Sequence, residues 1–152
     1  MNLQEELRVL KERISELEEL VKEEQEFPQD GDKYWLIEET LGVSRYAWAG
    51  DDFDNKLLSV GNVFRTKQQA EFAIEKLKVE AELRKFSRKF KHGGDNYTFN
   101  FNHDEGKIVH VYASESYEEL GSLYFESRDK AQQAIDEVGE ERIKKYIFGV
   151  ED

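Results

Sequence analysis

The chain has 152 residues, a charged fraction of 37%, an aromatic fraction of 12% and a formal net charge of −12. Its length suits one or two small domains, and its aromatic content separates it from disordered chains, which are poor in large rings. It contains no cysteine, which excludes disulfides, thiolate–zinc sites and thiol catalysis and fits a reducing cytosol.

No run approaches the roughly 18 apolar residues needed to span a bilayer. The first residues form an acidic amphipathic pattern in place of a basic region followed by an apolar run, so no secretory leader is expected. Charge is unevenly spread. Residues 66–91 carry eight basic and four acidic side chains, whereas residues 92–152 carry six basic and fourteen acidic ones. The overall sign opposes general affinity for nucleic acid, because phosphate binding needs clustered Lys and Arg.

In chain order, the first element is a helix. Leu3, Leu7, Leu10, Ile14, Leu17 and Val21 recur at alternating steps of four and three residues, the spacing of a heptad seam. Leu7, Ile14 and Val21 take the a positions, and Leu3, Leu10 and Leu17 take the d positions. β-Branched residues at a with Leu at d favour two parallel strands. In that arrangement Glu6 faces Lys11 of the other chain and Arg13 faces Glu18. The expected result is a coiled-coil dimerisation helix over residues 1–27, ended by Pro28, and a parallel homodimer. The alternatives are a helix docked on its own domain or a third strand, since Val9 and Leu20 widen the apolar face. Residues 28–33 read as a linker.

Two segments of the remainder resemble each other. The first places Phe64, Thr66, Ala70, Ala73 and Ile74 at the same spacing as Phe125, Ser127, Ala131, Ala134 and Ile135, every pair 61 positions apart, and Leu77 and Val138 continue the match. An aromatic residue ends a strand, Thr66 or Ser127 caps the next helix, and small alanines let that helix lie close on a sheet. Gln69 completes a capping box in the first copy. Strand-like runs precede each helix, at 34–39, 43–49 and 62–64, and again at 97–103, 107–113 and 122–125. The expected fold class is therefore α+β: the coiled-coil helix, then β-β-β-α units over residues 34–92 and 95–150, with antiparallel sheet and both helices on one face, open to merging into one continuous sheet.

The second hairpin predicts a register. Pairing His103 with Lys107 around a three-residue loop puts Phe101 opposite Val109 and Phe99 opposite Val111. Thr98, Asn100, Asn102 and His110 then share the exposed face, and Gly106 takes the left-handed position of the loop. Gly139 is expected to stop the last long helix, with a short helix over residues 140–148 beyond it.

Chemical motifs are sparse. His92, His103 and His110 lack the spacing of a zinc pair. Asp51, Asp52 and Asp54 lack the EF-hand pattern and read as a solvated turn. There is no glycine-rich phosphate loop and no nucleophile elbow, and Gly93-Gly94 reads as a helix C-cap. No enzymatic activity, metal or cofactor is expected. The candidate binding site is Arg84, Lys85, Phe86, Arg88, Lys89, Phe90 and Lys91, within the basic helix end 84–92. Cations interleaved with aromatics, Phe86 and Phe90 being four apart on a helix, can hold phosphates and stack bases. Such cations also gather at helix C-termini because the helix dipole favours them there.

The stretch from Leu123 to Val150, reading Leu-Tyr-Phe-Glu-Ser-Arg-Asp-Lys-Ala-Gln-Gln-Ala-Ile, and the stretch from Gly61 to Lys78, reading Gly-Asn-Val-Phe-Arg-Thr-Lys-Gln-Gln-Ala, together resemble small accessory proteins of phages and prophages of Gram-positive bacteria. The resemblance covers most of residues 34–150 and carries no site residues over. It implies a variable N-terminal part, often a coiled coil, before the body, and residence in the host cytosol. It also implies a protein that binds and blocks a host component, such as a nuclease or another defence protein. Binding of nucleic acid or a nucleotide through residues 84–92, or a scaffold role, are the alternatives.

Overall fold

The computed structural model describes residues 2–151. The chain is α+β, with five helices and two small antiparallel sheets in the described residues. In order these are α1 (Leu3–Glu24), β1 (Lys33–Ile37), β2 (Val43–Ala47), α2 (Asp52–Ser59), α3 (Lys67–Arg84), β3 (Asn96–Asn102), β4 (Lys107–Ala113), α4 (Arg128–Val138) and α5 (Glu140–Tyr146).

Local chemistry explains most boundaries. Asn2 caps α1, its side-chain oxygen accepting from the Glu5 amide at 2.8 Å. Thr66 and Ser127 start α3 and α4 in the same way, accepting from the amides of Gln69 and Lys130. The Gln69 side chain accepts from the Arg65 amide at 3.1 Å, one residue ahead of the cap. Such caps satisfy amides that a helix start leaves without partners. Gly139, at φ +105°, ends α4 with its N–H on the Ile135 carbonyl, and the chain reverses at once into α5.

The sheets are two separate two-stranded hairpins, β1–β2 and β3–β4, and they do not merge into one. The expected third strands shrink to single bridges: Trp35 with Phe64 in the first half, and Tyr97 with Phe125 in the second. Each bridge is a reciprocal pair of backbone hydrogen bonds of 2.8–3.1 Å. The helix caps at Thr66 and Ser127 follow two residues later, so no room remains to extend the pairing.

The second hairpin is shifted by one residue from the expected register. Asn102 pairs with Lys107, Phe101 with Ile108, Phe99 with His110 and Thr98 with Val111. The loop has four residues because the Asn102 side chain accepts from the amides of Asp104 and Glu105, while the Gly106 N–H closes back on the Asn102 carbonyl. Gly106 does adopt a positive φ of 68°. A one-residue slip moves side chains of one strand to the other face. His110 therefore joins the Phe99 and Phe101 face, where its Nε2 lies 2.7 Å from Gln132 of α4, and Val109 sits on the exposed face.

Two other expectations fail in the loops. The acidic stretch is not a solvated turn but the start of α2: Asp51 is its cap, accepting from the Asp54 amide at 2.8 Å, and Asp54 is buried. Gly93-Gly94 is not a helix C-cap, because α3 ends at Arg84, well before it.

The main core gathers Val79 and Leu83 of α3, Phe99 of β3, Phe125, Ala131, Ala134, Ile135 and Val138 around α4, and Ile143 of α5. Tyr34, Leu36, Ala70 and Ile74 are buried in the first half. Helix α3 touches the first hairpin, α4 and α5, and so ties the halves together.

Candidate functional site

The first candidate surface is α1. Every side chain of this 22-residue helix is exposed, including the six seam residues Leu3, Leu7, Leu10, Ile14, Leu17 and Val21, with Val9 and Leu20 beside them. Ion pairs between neighbouring turns, such as Arg8 with Glu12 at 2.8 Å and Arg13 with Glu16 at 3.1 Å, decorate its polar side; exposed pairs of this kind stabilise an isolated helix by about 0.3–0.5 kcal/mol each.

Its C-terminal end is fastened to the body by Arg65. The guanidinium donates to the carbonyls of Lys22 and Gln25 at 2.9 and 2.8 Å and lies 4.8 Å above the Phe27 ring. The last carbonyls of a helix lack intrahelical partners and carry the negative end of its dipole, so a planar cation with two donors suits them. The expected linker is also tied down, with Gly31 and Asp32 continuing the hydrogen bonding of the first hairpin onto Trp48. Sequence reading missed Arg65; its only signal is its place next to Phe64, and nothing local shows that it reaches back some forty residues.

The second candidate is the basic stretch, and the structure does not place its residues on one helix face. Arg84 is the last residue of α3 and Lys85 its C-cap; Phe86 to Lys91 lie beyond the helix. Phe86 is half-buried against the main core with the Lys130 ammonium 5.9 Å from its ring. Phe90 is half-buried, edge-on to Tyr124 at 5.2 Å. Arg88 pairs through its backbone with Tyr124, and its guanidinium donates to the Lys89 carbonyl, the Asp95 carbonyl and the Asn96 side-chain oxygen. Asn96 is fully buried and also exchanges two 2.9 Å bonds with the backbone of Lys91. Arg84, Lys85, Lys89 and Lys91 are left exposed, with neither ring standing out between them as a stacking platform.

The third feature is the buried carboxylate of Asp54. It accepts from the Tyr34 hydroxyl at 2.5 Å and from the amides of Ala49 and Gly50 at 2.8 and 3.0 Å. These donors, the Tyr34 hydroxyl first, hold its pKa below the ordinary carboxylate value. Burial, then the Asp54 contact, pushes the Tyr34 phenol upward. All polar capacity here is consumed in joining α2 to the first hairpin, within an aromatic cluster of Tyr34, Tyr46, Trp48 and Phe53. A second link of this type, Arg142 to Glu82 at 2.6 Å, joins α5 to α3, lowering the pKa of Glu82 and raising that of Arg142.

Among the described residues, no group of three or more His, Asp or Glu side chains converges in a way that could hold a metal ion, and no helix is long and apolar enough to cross a membrane. Comparison of the chain with protein-family models, curated proteins and solved structures found no match.

Proposed function

We propose that this chain is a non-enzymatic accessory protein of the phage type that pairs through α1 into a parallel homodimer. In this reading it binds and inhibits a basic host protein, of the defence or nucleic-acid-processing kind, through its acidic surface in the host cytosol. The observation that carries the dimer is the exposure of the α1 seam, from 82% at Leu3 to 44% at Leu17. A continuous apolar stripe of this kind is costly to leave in water, and heptad spacing gives it a self-complementary partner. The attractive pairs Glu6–Lys11 and Arg13–Glu18 arise only between parallel, in-register chains. Support for a binding role comes from the charge of −12, since opposite charge speeds encounter and sets specificity. The body reads as two copies of one unit, a reading supported by matching caps and by matching bridges ahead of them.

Sedimentation velocity at micromolar concentration tests the pairing. The wild type should run at dimer mass and a Leu10→Glu/Leu17→Glu variant at monomer mass with an unchanged body; a monomeric wild type overturns the reading. Binding is tested by capture from a Gram-positive host lysate. The captured protein should elute as salt rises from about 0.1 to 0.5 M, and should be lost with Glu115→Lys/Glu118→Lys, two exposed carboxylates in the strongly acidic segment 92–152. Capture that ignores both salt and charge reversal counts against the acidic surface. A gel shift with DNA and RNA separates the nucleic-acid alternative, using Arg84→Glu/Lys85→Glu because Arg88 is engaged in holding Asn96.

A further inference from the structure

The two halves complete the same hydrogen-bonding edge differently. In each half a bridge joins the first strand of the hairpin to the segment ahead of a helix: Trp35 pairs with Phe64, and Tyr97 with Phe125. Alternate residues of an antiparallel strand turn their backbone groups to the same edge. Ile37 and Phe99, each two positions past a bridge, therefore point N–H and C=O to the side where a third strand would continue. In the first half the side chain of Asn62 completes that edge. The Ile37 N–H donates to Asn62 Oδ1 at 2.7 Å, and Asn62 Nδ2 donates to the Ile37 carbonyl at 2.9 Å.

The counterpart of Asn62, 61 positions on, is Leu123, whose side chain has neither donor nor acceptor. Among the described residues, neither the N–H nor the C=O of Phe99 has a backbone partner on this edge, although Phe99 is only 9% exposed. Buried backbone groups are nearly always paired. Phe99 lines a cavity of about 410 Å³, walled by Leu83, Leu123, Phe125 and Phe148, with Glu80 and Arg84 as its charged neighbours. The second half thus sets an adjacent backbone donor and acceptor beside an apolar space, where the first half has a carboxamide of its own.

We infer that this cavity binds a small molecule carrying a primary carboxamide on an apolar body. The carboxamide takes the part that Asn62 plays in the first half, its oxygen accepting from the Phe99 N–H and its amino group donating to the Phe99 carbonyl. The apolar body fills the space between Leu83, Leu123, Phe125 and Phe148. The volume falls within the roughly 300–1,000 Å³ of small-molecule sites, and apolar walls with a few fixed polar groups are their usual composition. A donor and an acceptor side by side select for the amide, because a carboxylate or an ester brings no N–H to the Phe99 carbonyl. Walls from α3, β3, the segment ahead of α4 and the chain past α5 surround the edge, which suits a compact molecule better than an added strand. The site uses neither the α1 seam nor Glu115 and Glu118, so it stands or falls apart from the dimer and the acidic surface.

The test titrates the full chain, isotope-labelled at its amides, with hydrocinnamamide, a phenyl ring joined through two methylenes to a carboxamide. The control is methyl hydrocinnamate, which keeps the ring and the carbonyl but has no N–H. The expected result is saturable movement of the Phe99 amide signal by the amide, with the ester binding roughly tenfold or more weaker. Leu123→Asn should supply the carboxamide from the chain itself. In that variant the Phe99 amide should exchange with solvent about tenfold or more slowly than in the wild type, and the probe should no longer move its signal. Four results would overturn the proposal. One is no movement of the Phe99 signal at probe concentrations on the order of 10 mM. Another is equal affinity for amide and ester, which means filling of an apolar space alone. A third is tighter binding of the hydrocinnamate anion than of the amide, which assigns the affinity to Arg84. The last is a folded Leu123→Asn chain that still binds the probe. If Leu123→Asn fails to fold, the comparison of amide, ester and anion on the wild type decides by itself.

Discussion

Asp54 stands in a run of acidic residues, Asp51-Asp52-Phe53-Asp54, whose composition reads as solvated, yet one of the three carboxylates is buried. A buried charge is tolerated only when its hydrogen-bonding capacity is filled, and here one hydroxyl and two side-by-side amides fill it. The partners come from residues 20, 5 and 4 positions away, so composition could not distinguish Asp54 from its neighbours. Because its folded-state pKa lies below the ordinary value, its stabilising effect is complete above about pH 4 and is lost as pH falls through the folded-state value. Asp54→Asn should lower the melting temperature by several degrees at pH 7 and should lower it less in acid; melts from about pH 7 to pH 3 check this. At the alkaline end, the Asp95 contact and burial push the Tyr112 phenol up to about 12. A spectrophotometric titration should find Tyr112 and Tyr34 ionising above the usual phenol value.

At the scale of elements, the sequence was most legible where a single residue decides a boundary. Thr66, Ser127 and Gly139 act as their types dictate, because capping and left-handed backbone are local chemistry. Replacing Ser127 by Ala should cost about 1 kcal/mol. Gly139→Ala should cost about 1–3 kcal/mol, since a φ of +105° is open to glycine and strained for any residue with a Cβ. Urea unfolding measures both. Arg65→Ala should remove the two carbonyl contacts at the end of α1, reducing helicity by circular dichroism with little change in the melting of the body. The hairpin register was not legible. Phe99, Phe101, Val109 and Val111 alternate equally well in either pairing, and Asn102 closing the loop one residue earlier decides between them. The basic helix end was misplaced for a related reason: Leu83, Phe86 and Phe90 continue a helical period, but the buried Asn96 pulls residues 88–91 into a loop.

Across the whole molecule, the body and α1 should behave as two cooperative units, because α1 contributes no buried residue to the core. In melts over a roughly hundredfold range of concentration, the transition of α1 should move upward with concentration while that of the body stays fixed, as mass action requires of a dimer. The sequence alone determined the apolar stripe of the first helix, the α+β class, the paired caps at Thr66 and Ser127 and the stop at Gly139, all properties of short spacings and single side chains. Tertiary structure decided which carboxylate is buried, which arginine fastens α1 and where the third strands stop. Those outcomes rest on contacts such as Tyr34 with Asp54, and Arg65 with Lys22 and Gln25, between residues about twenty to forty positions apart, which no local spacing encodes.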